Sequence, residues 1–116
     1  MEDFLIQTLE TLGFPVIRQG GIAENEAYPE TFITFWNNDD SEHSAYDNET
    51  ASAEVSFDVN IYSSSPNEAY SLQRQARDLL KTNGFIITSR AYDVASDEPT
   101  HTGRGFTVAY LQTTDL

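Results

Sequence analysis

Cysteine is absent from this sequence. That excludes disulfides, thiolate metal sites and thiol nucleophiles together, and it favours a reducing compartment. Long apolar runs are absent as well. None approaches the ~18 residues needed to span a bilayer as a helix, so no membrane partner is expected. Basic residues are scarce: six Lys and Arg stand against nineteen Asp and Glu, a net charge of −13 over 116 residues. No Lys or Arg occurs between Arg18 and Arg74, and that interval holds eleven acids: Glu24, Glu26, Glu30, Asp39, Asp40, Glu42, Asp47, Glu49, Glu54, Asp58 and Glu68. A protein that grips a phosphate backbone needs the opposite sign, so specific nucleic-acid binding is not expected. Self-repulsion of this size also keeps free chains soluble. The start, MEDFLIQTLE, is acidic and amphipathic and reads as neither a signal nor a transit peptide. The expectation is a soluble intracellular protein forming one domain over residues 1–116.

What is present is an alternation of short helical and strand patterns. Leu5, Leu9 and Leu12 fall at i, i+4 and i+7 with Phe4 beside them, a short helix that Gly13 is placed to stop. Phe14-Pro15-Val16-Ile17 reads as an edge strand, because Pro lacks the ladder N–H. Residues 22–31 read as loop. Phe32-Ile33-Thr34-Phe35-Trp36 is an aromatic and β-branched strand. The clearest pattern follows: Ala53, Val55, Phe57, Val59 and Ile61 alternate with Glu54, Ser56, Asp58, Asn60 and Tyr62. Period two with one apolar and one polar face predicts a strand with one side on a core and the other toward water or a partner. Ser65-Pro66-Asn67-Glu68 supplies an N-cap, a proline at the first helical position and a capping-box acid. Ala69, Leu72, Ala76, Leu79 and Leu80 stripe the helix that follows, and Asn83-Gly84 closes it. Phe85 to Arg90 reads as a strand, Asp93 to Arg104 as a polar loop, and Gly105 to Gln112 as a last strand with Phe106, Val108 and Tyr110 on one face. The order α-β-β-β-α-β-β predicts an α+β domain. Its mainly antiparallel sheet has about five strands, with two helices packed on one face.

The segment NNDDSEHSAYDNE, residues 37–49, gathers acids around one of two histidines. An EF-hand needs Gly at its sixth position; counting from Asn37 that residue is Glu42, and from Asp39 it is Ser44. His43 and His101 each stand alone in polar segments, without a metal-ligand spacing. Asp47 and Glu49 lack the apolar surroundings that would raise one carboxyl pKa for acid–base work. There is no Gly-x-Ser-x-Gly, no phosphate-cradling loop and no His-Glu-x-x-His; Gly20-Gly21 and Gly103-Arg104-Gly105 read as turns. Neither catalysis, a metal nor a cofactor is expected. The segment reads instead as a polar, projecting connection between two strands. Its residues Asp39, Asp40, Glu42, Tyr46, Asp47, Asn48 and Glu49, with Tyr62 at the end of the long strand's polar face, are the candidate contact residues. Exposed Tyr and Trp suit interfaces, and edge strands invite pairing with another chain.

Several elements together resemble a family. They are the aromatic strand Phe32 to Trp36, the Asn- and Asp-rich spacer Asn37 to Asp40, and Tyr46-Asp47-Asn48-Glu49. The strand end Val59-Asn60-Ile61-Tyr62-Ser63 and the helix with its closing Gly-Phe, Ala69 to Phe85, complete the set. This pattern is similar to the small tail-completion proteins of long-tailed bacteriophages and prophages. The likeness covers roughly Phe32 to Leu111, with Asn60 where the pattern has Asp. The resemblance implies a structural role as a tail terminator or neck protein. Subunits would form a ring, commonly of six, that caps the tail tube and joins it to the head connector and completion proteins. Its place would be the virion tail or neck, assembled in the bacterial cytoplasm. DNA would pass through the ring without being bound, and part of the base-free segment would line that channel. A different class also fits the acid count: a small DNA mimic that blocks a nucleic-acid-binding protein.

Overall fold

The structure, a computed structural model, describes residues 2–18, 29–40, 52–96 and 99–113, with the side chains of 39, 40, 52–54, 112 and 113 excepted. Its elements are α1 (Glu2–Glu10), β1 (Val16–Arg18), β2 (Thr31–Asp40), β3 (Ser52–Ser63), α2 (Pro66–Thr82), β4 (Ile86–Ile87), β5 (Tyr92–Val94) and β6 (Thr102–Thr113). The protein is α+β: two helices with a six-stranded, mostly antiparallel sheet. The strand order is β1-β2-β3-β6-β4, and β5 also pairs with β6. Among the described strands only β1 runs parallel to its neighbour, with Val16 opposite Ile33.

Alternation on β3 decides the layers. Phe57, Val59 and Ile61 point to the helices and are fully buried, joined by Ile33 and Phe35 of β2 and Phe106 and Val108 of β6. The helices complete this core with Leu5 and Leu9 from α1 and Ala69, Leu72, Ala76 and Leu80 from α2. Phe85 stacks on Phe4 (centroids 5.6 Å apart) and meets Tyr110 at 4.9 Å, which seals α1 against the sheet. Fully burying each such side chain contributes about 1.5–3 kcal/mol.

The caps of α2 follow its sequence with one change. Ser65 is the N-cap and accepts from Glu68 N–H at 3.4 Å, with Pro66 at the first helical position. The reciprocal half of a capping box is not made, because Ser65 N–H donates to Ser63 Oγ at 3.1 Å instead. Asn83 closes the helix, and Gly84 turns the chain at φ 94°, a conformation that side chains resist.

Two departures have local causes. The strand expected over Phe85 to Arg90 is reduced to Ile86–Ile87. At Ser89 the side-chain hydroxyl, not the backbone, takes the Thr107 N–H, at 2.9 Å, so the ladder ends there. Overlapping the segment read as a loop from Asp93, Tyr92–Val94 forms β5, and β6 begins early at Thr102, because these two stretches pair with each other.

Candidate functional site

The acidic segment is the connection of a hairpin. β2 and β3 are antiparallel, in register from Thr31↔Ser63 to Asp40↔Val55. Strand geometry thus runs past Trp36 through Asn37 and Asn38 to Asp40, further than the aromatic run alone suggested. The register slips between Asn37 and Asp39, leaving Asn38 as a bulge residue. A bulge sharpens twist and re-aims the strand beyond it. Here it sits at the root of the hairpin. Asp39 and Asp40 lie on the last residues of β2. Glu42, Tyr46, Asp47, Asn48 and Glu49, with His43, fall outside the described residues.

Asp58 fixes that root. Its carboxylate accepts from the Trp36 indole N–H and, at 2.9 Å, from Asn38 Nδ2. Trp36 and Asp58 are direct cross-strand partners, so sheet register alone brings the first pair together. The Tyr92 hydroxyl comes to the same carboxylate from β5. Its pKa is raised above the ordinary phenol value, first by burial, then by the negative charge of Asp58 and by a hydrogen bond to it. Hydrogen bonds to a charged group contribute about 1.5–3 kcal/mol each when well shielded, and less here, where the partners are partly exposed.

The sheet face away from the helices is divided into two halves. At the Ser63 end of β3 it is covered by the protein itself. Tyr62, expected to be an exposed contact residue, is 8% exposed; its ring stacks on Phe32 at 5.1 Å, and Phe32 in turn meets His101 at 5.8 Å. The burial has a sequence cause. Gly103 and Gly105 mark no turn but lie inside β6, opposite Tyr62 and Asn60. A Cβ at Gly103 would stand 2.5 Å from the Val94 carbonyl oxygen and 2.9 Å from the Tyr62 ring. Bare backbone at these two positions is what lets the aromatic rings and β5 lie flat across β6. Two glycines spaced by the strand period were the available signal, and the loop reading hid it. His101 is held in place: Nε2 meets the Pro29 carbonyl at 2.8 Å and Nδ1 meets Thr100 Oγ1 at 3.1 Å.

The other half, toward the hairpin, carries exposed apolar side chains. Trp36, Ile86 and Leu111 are 49%, 56% and 58% exposed. Register puts all three on the face away from the helices, since Trp36 opposes Asp58, Ile86 opposes Ala109, and Leu111 opposes Glu54. Composition did not reveal this patch, because its members come from three strands far apart in sequence. Among the described residues no group of three or more His, Asp or Glu is arranged to hold a metal ion. No helix of the described residues is long and apolar enough to cross a membrane. No protein-family model matches this chain, and no curated protein matches it.

Proposed function

We propose that this chain is a virion assembly protein, a tail terminator or tail-completion factor of a long-tailed bacteriophage or prophage. It acts as a ring subunit at the junction of tail tube and head, and its function is association without chemistry. The observation that carries the reading is the open half-face beside the acidic hairpin: exposed Trp36, Ile86 and Leu111 next to a root fixed by Asp58. Large apolar side chains gathered on one face suit a protein surface, and carboxylates beyond them suit a channel that DNA must traverse without sticking.

Reversing Asp47, Asn48 and Glu49 to Lys tests the reading. The variant folds normally, and tails assembled with it are of abnormal length or fail to join heads, as are tails made without the protein. Normal tails in both preparations defeat the proposal. If the chain instead competes with DNA for a basic protein, the acidic DNA mimic is correct.

A further inference from the structure

A groove of about 480 Å³ runs along the free edge of β4, between that strand and the last turns of α2. Arg77, Lys81, Phe85, Ile86 and Ile87 line it. It concentrates what the rest of the chain lacks. Arg74, Arg77 and Lys81 recur at i, i+3 and i+7 on α2 and are all exposed, so three of the chain's six bases stand on one helix stripe. Among the described residues Arg77 pairs only with its chain neighbour Asp78, at 3.3 Å and in solvent, a contact of little energetic value. Among the described residues the Lys81 ammonium has no ion-pair partner. Ile86 also lines the groove and is exposed, its register turning it toward the face away from the helices, and among the described residues no strand pairs with the outer side of β4.

We propose that this groove receives the acidic β2–β3 hairpin of a second copy of this chain. Charge complementarity selects the occupant: residues 39–54 carry Asp39, Asp40, Glu42, Asp47, Glu49 and Glu54 and no base. Position agrees. Across the sheet Ile86 is level with Ala109, Ser56 and Asp39, so groove and hairpin root stand at one height on opposite sides of β3 and β6. The contact uses two different patches, and each added copy leaves one patch of each kind free. Such a heterologous contact closes into a ring or extends into a filament. This deepens the ring reading, on which its biological place rests, by naming the joining surfaces.

Lys81 is the only lysine of the chain, which gives a direct test. A millimolar mixture of isotope-labelled and unlabelled chain is treated with a zero-length carbodiimide, which joins an amine to a carboxylate in contact with it. The expected product links Lys81 of one isotope to a carboxylate of residues 39–54 of the other. Arg77→Glu, which leaves the reporter lysine in place, lowers its yield by about tenfold. Links within one copy only, links from Lys81 to acids elsewhere, or no link at all overturn the contact. A chain that gives the mixed link but never caps tail tubes sinks the tail reading alone. Capping without the link sinks the contact alone.

Discussion

Replacing Gly105 with alanine adds one methyl group to the crowded side of β6. Its carbon would stand 2.5 Å from Asn60 Oδ1, 2.7 Å from Val94 Cγ2 and 2.8 Å from Tyr92 Cε1. Two of these neighbours belong to β5, three residues long and held chiefly by β6, so they can retreat. Asn60 cannot, because it is 9% exposed and lies on β3 between two paired strands, opposite Thr34 and Gly105. Overpacking of this kind costs about 1–3 kcal/mol. Removing the freedom of glycine from the unfolded chain returns about 0.4–1 kcal/mol. The net expectation is a loss of about 1–2 kcal/mol, which for a domain of this size lowers Tm by roughly 5–10 °C. Urea and thermal melts followed by far-UV circular dichroism measure it, and tyrosine fluorescence reports the displaced β5. A variant as stable as the parent, or more so, would refute the claim that β6 needs bare backbone here.

Asp58→Asn tests the root of the hairpin. It removes the charge that Trp36 and Asn38 bond and lowers stability by about 1 kcal/mol, read as a fall in urea midpoint. In the same variant the Tyr92 phenol titrates closer to its ordinary value without reaching it, since burial is the larger cause of the rise and remains. The sign is fixed: a raised folded-state pKa contributes stability present below the ordinary value of about 10 and lost as pH climbs through the folded value. The parent therefore loses stability more steeply than Asp58→Asn above pH ~10; equal slopes would separate Tyr92 from Asp58. Ser65→Ala removes a long cap bond of 3.4 Å and costs about 0.5–1 kcal/mol by denaturant melt. An unchanged midpoint would mean that Pro66 alone starts α2.

The helix-side core was legible because its residues repeat at the periods of their elements. Phe57, Val59 and Ile61 at period two, and Leu72, Ala76 and Leu80 at helical spacing, are the residues that the structure buries. The opposite face was misread for a physical reason. A polar side of a strand predicts solvent only when nothing else of the chain returns to cover it, and β5 returns across Gly103 and Gly105 to bury Tyr62 and Asn60. That cover depends on pairs nine to thirteen residues apart, which no local pattern records. β4 was over-extended for the converse reason: apolar Phe85, Ile86 and Ile87 continue into Thr88 and Ser89, which have strand composition, but Ser89 spends its hydroxyl on Thr107. Of the candidate contact residues, Tyr62 is enclosed, Asp39 and Asp40 end β2, and the rest lie outside the described residues.

The division of the sheet's free face bears on how copies of a strongly acidic chain could meet. Each carries −13, so two copies repel at long range. That repulsion is screened beyond about 10 Å at 0.1 M salt, and what remains is decided by the groups in contact. Phe32 and Tyr62 in the enclosed half offer little, since their rings are stacked on each other and buried. The open half keeps its apolar side chains exposed, and the exposed cations of α2 lie beside one of them, Ile86. Apolar burial there does not depend on charge and would offset residual repulsion, while in the proposed contact Arg77 and Lys81 would select which acidic surface is accepted. An acid-rich chain with cations scattered evenly would have neither property. The uneven distribution, eleven acids without a base and then three bases on one helix, is therefore the feature that would let the repelling charge and the proposed contact coexist in one small domain.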